Sequence, residues 1–481
     1  MRVLLIRPPS PNERFGLGPF FRVEPLGLEY VAAALVRDRH QVRIADLRFG
    51  ASLRTRLRRF RPDVVGIACT HTVDVSTTRL TAAAVKQRAP EAFTLVGGHA
   101  AGAFPEPLLT EDVDALCVTD GEFAVPALLR ALGRNAPLDE VPGLRVRHSR
   151  GAGAACFHAT AQPEERISLD EVPLPARELV APFQSHYRCV HMTPLWAVET
   201  SRGCPFRCSF CSIWRCQGRS FRQRSIEAVA TDLATAGPNV FIVDDLFWHP
   251  RSRSLELARE LRRRHVRKSF LLVQARLDTV ARNADLLAAW RPLADVFDIF
   301  FGFEVPTDQQ LLRLNKDLTV AHAEAGIEVA RSLDYGVTGN FVVDPDFTES
   351  DFKSMWDMVD RLALRRCGFT VLTPLPGTPL YDELQSRIVE RDFSRYDMHH
   401  ILYEPRLGRR RFFELFAESW KRNVLSRDHS RSNWLKWFRG LSPRQALALA
   451  RVLYHTQRML RPEAYLAESF PLQLPAHMGG E

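Results

Sequence analysis

Short apolar runs alternate with helical stripes through the first 145 positions. "VLLIRPP" begins at Val3, and in the "LGLEYVAAALVRDRH" that follows, apolar residues recur at helical spacing. "QVRIADL", "DVVGIAC", "FTLVGGH" and "DALCVTD" continue the series, with helical stretches between them. Each run is apolar almost throughout instead of alternating, so these five units predict a parallel sheet covered by helices on both faces. A second series starts near Trp196 with "LWAVETS", "NVFIVDD", "SFLLVQA", "VFDIFFGFE", "VTGNFVVDP" and "CGFTVLTPL". Patterns such as "SIEAVATDLATAG" separate these six strands and predict a partial parallel barrel. Residues 146–190 lack periodicity and are punctuated by proline, which reads as a linker. From about residue 386 the pattern is helical, basic and aromatic. The expected fold class is α/β, a doubly wound, Rossmann-like sheet domain over 1–145, a barrel over 191–385 and a helical region over 386–481.

The residues change character where the strands of the first series end. Arg7-Pro8-Pro9, Asp46, Thr70-His71, Gly97-Gly98-His99 and Asp120-Gly121-Glu122 all fall at C-terminal strand ends. Open α/β sheets bind ligands there, although glycine and proline also simply make turns. The first turn, "RPPSPNERFGLGPFFRVEPLG", is long and lacks the G-x-G-x-x-G that brings a helix N-terminus to a pyrophosphate. That argues against a dinucleotide.

Composition narrows the classes. With 481 residues, 46% hydrophobic and 25% charged, the chain can build two or three cores under an ordinary surface. No apolar run approaches the ~20 residues that span a bilayer. "MRVLLIRPPS" is too short a stretch for a secretory signal, so the expected location is cytoplasmic. The net charge of +9 admits nucleic acid, membrane surfaces or anionic cofactors as partners. Nine cysteines include a tight group, which in a long chain of this kind points to metal or redox chemistry.

That group is "TSRGCPFRCSFCSIWR", with Cys204, Cys208 and Cys211 spaced C-x3-C-x2-C and Cys216 close behind. Three readings compete. Structural zinc uses four ligands from paired knuckles, and no second pair follows. A redox C-x-x-C has no place for the extra Cys204. Three thiolates hold three irons of a 4Fe–4S cluster and leave the fourth open.

The motif, with Phe210 before its last cysteine and on the first loop of a partial barrel, resembles the radical S-adenosylmethionine enzymes. The resemblance implies that S-adenosylmethionine binds the open iron and is reductively cleaved to a 5′-deoxyadenosyl radical. By position it assigns S-adenosylmethionine contacts to Asp244 and Asp245 after the second barrel strand, Arg276 with Asp278 after the third, and Glu304 at the fourth. Helix caps and solvated loop charges are the plainer reading of each acid. Cys216 is expected not to ligate, since a fourth protein ligand would block the open iron.

A sheet domain before such a barrel resembles cobalamin-binding radical enzymes. Candidate cobalamin contacts are Thr70, His71, Gly97, Gly98, His99, Gly121 and Glu122. Many cobalamin proteins carry D-x-H-x-x-G, whose His ligates cobalt. Here Asp46 is followed by Arg48 at that place, so cobalamin is expected without a histidine ligand.

The ordered phrases "RVEPLGLEYVAAAL", "LVGGHAA", "GRSFR", "NFVVDPDFTESDF", "LTPLPGTPLYDE" and "YDMHH" look most like the hopanoid C-3 methylases. The resemblance implies C-methylation of an unactivated carbon through the deoxyadenosyl radical and methylcobalamin, with flavodoxin or ferredoxin as reductant. No nucleic-acid partner is implied, because a tRNA methylthiotransferase would add further cluster cysteines and an RNA-binding barrel. Alternatives are a natural-product C-methylase, an oxidative cyclase of the same architecture, or a zinc-stapled binding module. "NWLKWFRGLSPRQALALARVLY" suits a helix lying peripherally at the inner membrane face, near a lipid substrate, or else a barrel cap with an aromatic core.

Overall fold

The computed structural model describes residues 1–10, 21–148, 156–163, 167–424 and 443–467. All five expected strands of the first domain form: β1 (Arg2–Arg7), β2 (Gln41–Asp46), β3 (Val64–Ala68), β4 (Phe93–Gly97) and β5 (Ala115–Cys117). They are parallel, in the order β2-β1-β3-β4-β5. Strand geometry sends successive side chains to opposite faces. Val3 and Leu5 therefore pack with Leu35 and Leu128 on one side, while Leu4 and Ile6 pack with Leu57 and Val85 on the other. Helices Leu26–Arg37 and Gly121–Gly133 cover the first face, Leu53–Phe60 and Val75–Arg88 the second.

Two more strands, β6 (Leu144–Arg147) and β7 (Phe157–Ala159), continue the sheet antiparallel. The linker expected from residue 146 thus starts inside the sheet. Its alternation, Leu144 and Val146 inward and Arg145 and Arg147 outward, is only four residues long. The rest of the linker is a packed plug. Phe183, Tyr187 and Leu195 share one core with Val3 and Leu5 of the sheet and with Phe270 and Leu272 of the barrel. Its Arg188–Cys189 pairs antiparallel with Phe21–Arg22.

The barrel strands are β8 (Trp196–Val198), β9 (Asn239–Ile242), β10 (Lys268–Ala275), β11 (Ala294–Glu304), β12 (Gly336–Val343) and β13 (Cys367–Val371). They run parallel in chain order. Phe301, Phe303, Phe341 and Phe369 pack under the surrounding helices. The alternate residues Phe300, Gly302, Asn340 and Thr370 are only half-buried and face the lumen. Asn340 donates to Thr370 Oγ1 there, at 2.6 Å.

The barrel sheet is open between β8 and β13, and the first domain grips both edges. Ala197 N of β8 donates to Glu24 Oε1 at 2.7 Å. Beyond β13, Tyr381 and Phe393 stand 6.4 and 5.8 Å from the ring of Phe104. The C-terminal helix Arg409–Val424 covers the β13 flank, Trp420 meeting Phe369 at 5.6 Å. Residues 425–442, which carry Trp434 to Phe438 of the expected surface helix, lie outside the described residues, as do 468–481. Among the described residues no helix is long and apolar enough to cross a membrane.

Candidate functional site

The cysteine loop leaves the C-terminal end of β8 and returns at residue 222. Ser201–Arg202 and Arg222–Gln223 pair antiparallel at its neck. Gly203 sits in the neck at φ +96°, where a Cβ would overlap the carbonyl oxygen of Ser220. Only glycine lets the strands meet there. Asp244, just beyond β9, anchors the approach. It accepts from Thr200 N at 2.6 Å, Thr200 Oγ1 at 2.5 Å and Ser201 Oγ at 2.6 Å, and it is fully buried. Burial raises its pKa to about 7 against those three donors.

Cys204, Cys208 and Cys211 are half-buried, unpaired thiols within electrostatic reach of one another. Burial pushes all three thiols up, Cys211 to about 12. The backbone amides of Phe206 and Ile213 oppose this at Cys204 and Cys211. Three soft donors, two of them met by amide dipoles, fit an iron–sulfur cluster. Among the described residues, no three His, Cys, Asp or Glu side chains converge on a single-ion site. Cys216 ends the short helix Ile213–Cys216.

The barrel residues expected around the cysteines divide. Asp244 faces Thr200 and Ser201, whereas its neighbour Asp245 accepts from Gly203 N at 3.1 Å and stays open to water. Asp245 is nonetheless crowded enough for its pKa to rise to about 6, and it faces Cys204 and Cys211. A group open to water yet ringed by protein lines a cleft. Arg276 lies over the Phe206 ring at 3.7 Å, inside the cysteine loop, and donates to Asp278 at 2.9 Å. Glu304 ends β11 at φ +62°, where the register breaks after Gly302. Its carboxylate is held by Lys316, whose ammonium also reaches Gly302 O at 3.1 Å and faces Cys208. A side chain on Gly302 would collide with both members of the pair. A non-glycine residue in the left-handed region costs on the order of 1 kcal/mol, and such strain gathers at functional sites.

On the first domain, the sheet order reverses between β1 and β3, the place where such folds open a crevice. Arg7 bridges that point, donating to Thr70 Oγ1 at 3.3 Å and Asp74 Oδ2 at 2.8 Å. His71 follows, exposed to water but deeply surrounded, and burial lowers its pKa. Gly98 is exposed at φ +114°, where a Cβ would stand 2.7 Å from Cys69 O, so bare backbone faces the cleft between Gly97 and His99. His99 meets Ser212 Oγ at 2.9 Å, directly after Cys211. Burial and then His71 lower its pKa to about 4. The C-terminal edges of both sheets therefore open on one cleft.

Gly121 and Glu122 do not line it. Gly121 packs toward Val31, and buried Glu122 accepts from Arg202 at 2.7 Å. Arg202 also holds Asp120 at 2.9 Å and Glu199 at 2.7 Å, and Arg222 holds Asp120 at 2.8 Å. This network ties the neck of the cysteine loop to the first domain. Arg48 is likewise committed: Asp46 accepts from it at 2.9 and 2.6 Å, and Tyr187 donates to the same carboxylate at 3.2 Å. Its head offers no base to a metal. Bare backbone at Gly98, accessible His71 and the locked arginine fit a broad cofactor without a protein base at residue 48.

Residues 19–129 match the B12 binding domain family and 198–359 the Radical SAM superfamily. The hopanoid C-3 methylase of Methylococcus capsulatus is 31% identical over 474 residues, covering 95% of this chain and 88% of that protein. The chain belongs to the cobalamin-binding radical S-adenosylmethionine enzymes. It is a methyltransferase whose cofactors are cobalamin, a 4Fe–4S cluster and S-adenosylmethionine. Its fold resembles that of OxsB with aqua-cobalamin and S-adenosylmethionine bound, with a TM-score of 0.71 and 17% identity over 95% of this chain and 71% of that one. It also resembles TsrM from Kitasatospora setae with cobalamin and a 4Fe–4S cluster bound, with a TM-score of 0.64 and 20% identity over 81% and 79%.

Sequence reading missed Ser212, Lys316, Phe206 and the Arg202 network. Lys316 stands twelve residues from Glu304, and Ser212 has no partner nearby in sequence. Ser212, Phe206 and Arg202 lie within the cysteine stretch itself, so adjacency to the motif was the available signal for them; Lys316 had none.

Proposed function

We propose that this enzyme methylates an unactivated ring carbon of a hopanoid. The observation that carries the reading is the 31% identity to a hopanoid C-3 methylase across 95% of the chain. When bound, cobalamin and the cluster with S-adenosylmethionine would supply a methyl donor and a hydrogen-abstracting carbon radical, as a saturated carbon without lone pair or acidic proton requires.

In this reading Cys204, Cys208 and Cys211 hold the cluster, and Cys216 does not. Asp245, Arg276 and the Glu304–Lys316 pair contact S-adenosylmethionine. Arg276 also stiffens the cysteine loop by stacking on Phe206. Thr70, His71, Gly97, Gly98 and His99 contact cobalamin. Asp244 shapes the loop without touching a ligand. Phe300, Gly302, Asn340 and Thr370 line the lumen where substrate would lie, one aromatic face beside a single polar pair. The first domain, in this view, runs to the end of β7 and the linker from there to Leu195.

Expression in a host that makes only unmethylated hopanoids, followed by lipid mass spectrometry, tests the reading. The expected product is heavier by one methylene unit. Unchanged hopanoids, with S-adenosylmethionine still cleaved by the purified enzyme, would move the substrate to another apolar skeleton.

A further inference from the structure

From Thr200 to Gln223 the chain carries five hydroxyl side chains, and four of them are engaged. Thr200 and Ser201 donate to Asp244, Ser212 meets His99, and Ser220 donates to Gln217 O. Ser209 is the exception. Its Oγ is shut off from water, and among the described residues it has no hydrogen-bond partner.

A buried hydroxyl without an acceptor costs free energy, so such an exception in a folded protein has a reason. Ser209 follows Cys208 directly and stands two residues before Cys211. Its backbone is pinned on both sides. Ser209 N donates to Leu314 O at 2.9 Å, and Ser209 O accepts from Leu380 N at 3.0 Å. The residue is thereby held between the segment after β11 and the helix Pro379–Leu384 beyond β13. Two residues past Leu314, the ammonium of Lys316 faces Cys208. A cation and an idle hydroxyl donor thus meet the same stretch of thiols. The acceptors that the protein does not offer this hydroxyl are those a cluster brings: anionic thiolate and sulfide sulfurs inside the loop.

We propose that the Ser209 hydroxyl donates a hydrogen bond to a sulfur of the 4Fe–4S cluster and so raises its reduction potential. The proposal rests on the assignment of Cys204, Cys208 and Cys211 to that cluster. Reduction adds one electron, whose charge spreads over iron and sulfur. A donor at sulfur binds the more negative state more strongly, so it favours the reduced cluster.

Full-length enzyme with its cluster is titrated anaerobically with dithionite, without S-adenosylmethionine. The reduced cluster is counted by electron paramagnetic resonance against the solution potential. Ser209→Ala should keep the iron and sulfide content of wild type. Its one-electron reduction should be about tenfold less favourable, a potential about 59 mV more negative. Ser209→Thr retains the hydroxyl and should stay within about twofold of wild type. Should the alanine variant fail to hold its cluster, Ser209→Val is compared with Ser209→Thr, which has nearly the same shape, and the same tenfold separation is expected. An unchanged potential in Ser209→Ala, or equal potentials for the valine and threonine variants, overturns the proposal. Loss of the cluster from both the alanine and valine variants also overturns it, by reducing Ser209 to packing. Cys208→Ala, which should lose the cluster, checks the cysteine assignment separately through its iron content. The titration uses no substrate, so failure of the hopanoid reading leaves its result intact.

Discussion

Asp244 and Asp245 adjoin in the chain and face opposite ways. Asp244 spends its carboxylate on Thr200 and Ser201, and Asp245 turns to the cleft beside the cysteines. Asp244→Ala should strand three donors at a buried site, cost about 2–4 kcal/mol and reduce cluster loading, read as iron and sulfide content. Asp245→Asn should load normally but bind S-adenosylmethionine at least tenfold more weakly by calorimetry, a loss of about 1.4 kcal/mol. Equal loading defects in both variants would contradict this division. The sequence placed two acids after a strand but could not tell them apart, because their difference lies in what the preceding loop donates. Lys316 was illegible for a related reason: its partner is fixed by the bulge after Gly302. Replacing Lys316 with Met leaves Glu304 buried without its cation. The expected loss is about 3–5 kcal/mol, read as a lower denaturation midpoint, and an unchanged midpoint would mean the pair is dispensable.

Among elements, strands of both sheets were legible because double coverage demands unbroken apolar runs. Eleven strands sit where those runs predicted them, while β6 and β7 were too short to read. The linker was illegible because its packing is tertiary: Tyr187 and Leu195 fill space that only the assembled domains create. Contacts between elements were the other loss. His99 opens the short helix His99–Ala103 and Ser212 lies in the cysteine loop 113 residues later, yet their bond joins the two faces of the cleft. His99→Ala should therefore separate the two halves of the chemistry. Deoxyadenosine formation should stay within about twofold of wild type, and methylated product should fall at least tenfold, as misplacement of about 1 Å can do. Parallel loss of both products would reduce His99 to a structural role.

At the scale of the whole molecule, the grip of the first domain on β8 depends on groups that dislike charge. Glu24 and Glu29 lie buried between the domains, facing Arg177 from the linker and Asp232 from helix Ile226–Thr235, with Glu178 nearby and Lys268 beside Arg177 and Asp232. Three carboxylates share one guanidinium. Arg177 gives its closest contact to Asp232 at 2.5 Å, and among the described residues neither oxygen of Glu29 finds a hydrogen-bond partner. Burial therefore raises Glu24 to about 7, and burial together with the Glu24 charge raises Glu29 well above the usual carboxylate range. The sign follows from proton counting. Below about pH 4.5 both glutamates are protonated folded or unfolded, and they add no pH dependence. As pH rises toward 7 the unfolded chain releases protons that the folded one keeps, so stability falls. The Glu24 shift alone corresponds to roughly 3 kcal/mol across that window. Glu29→Gln keeps the neutral shape and removes one of the two titrations. Its denaturation midpoint should match wild type near pH 5 and exceed it at pH 8. If the two curves run parallel from pH 5 to 8, the glutamates are ionised in the folded enzyme and the interface is held by charge instead.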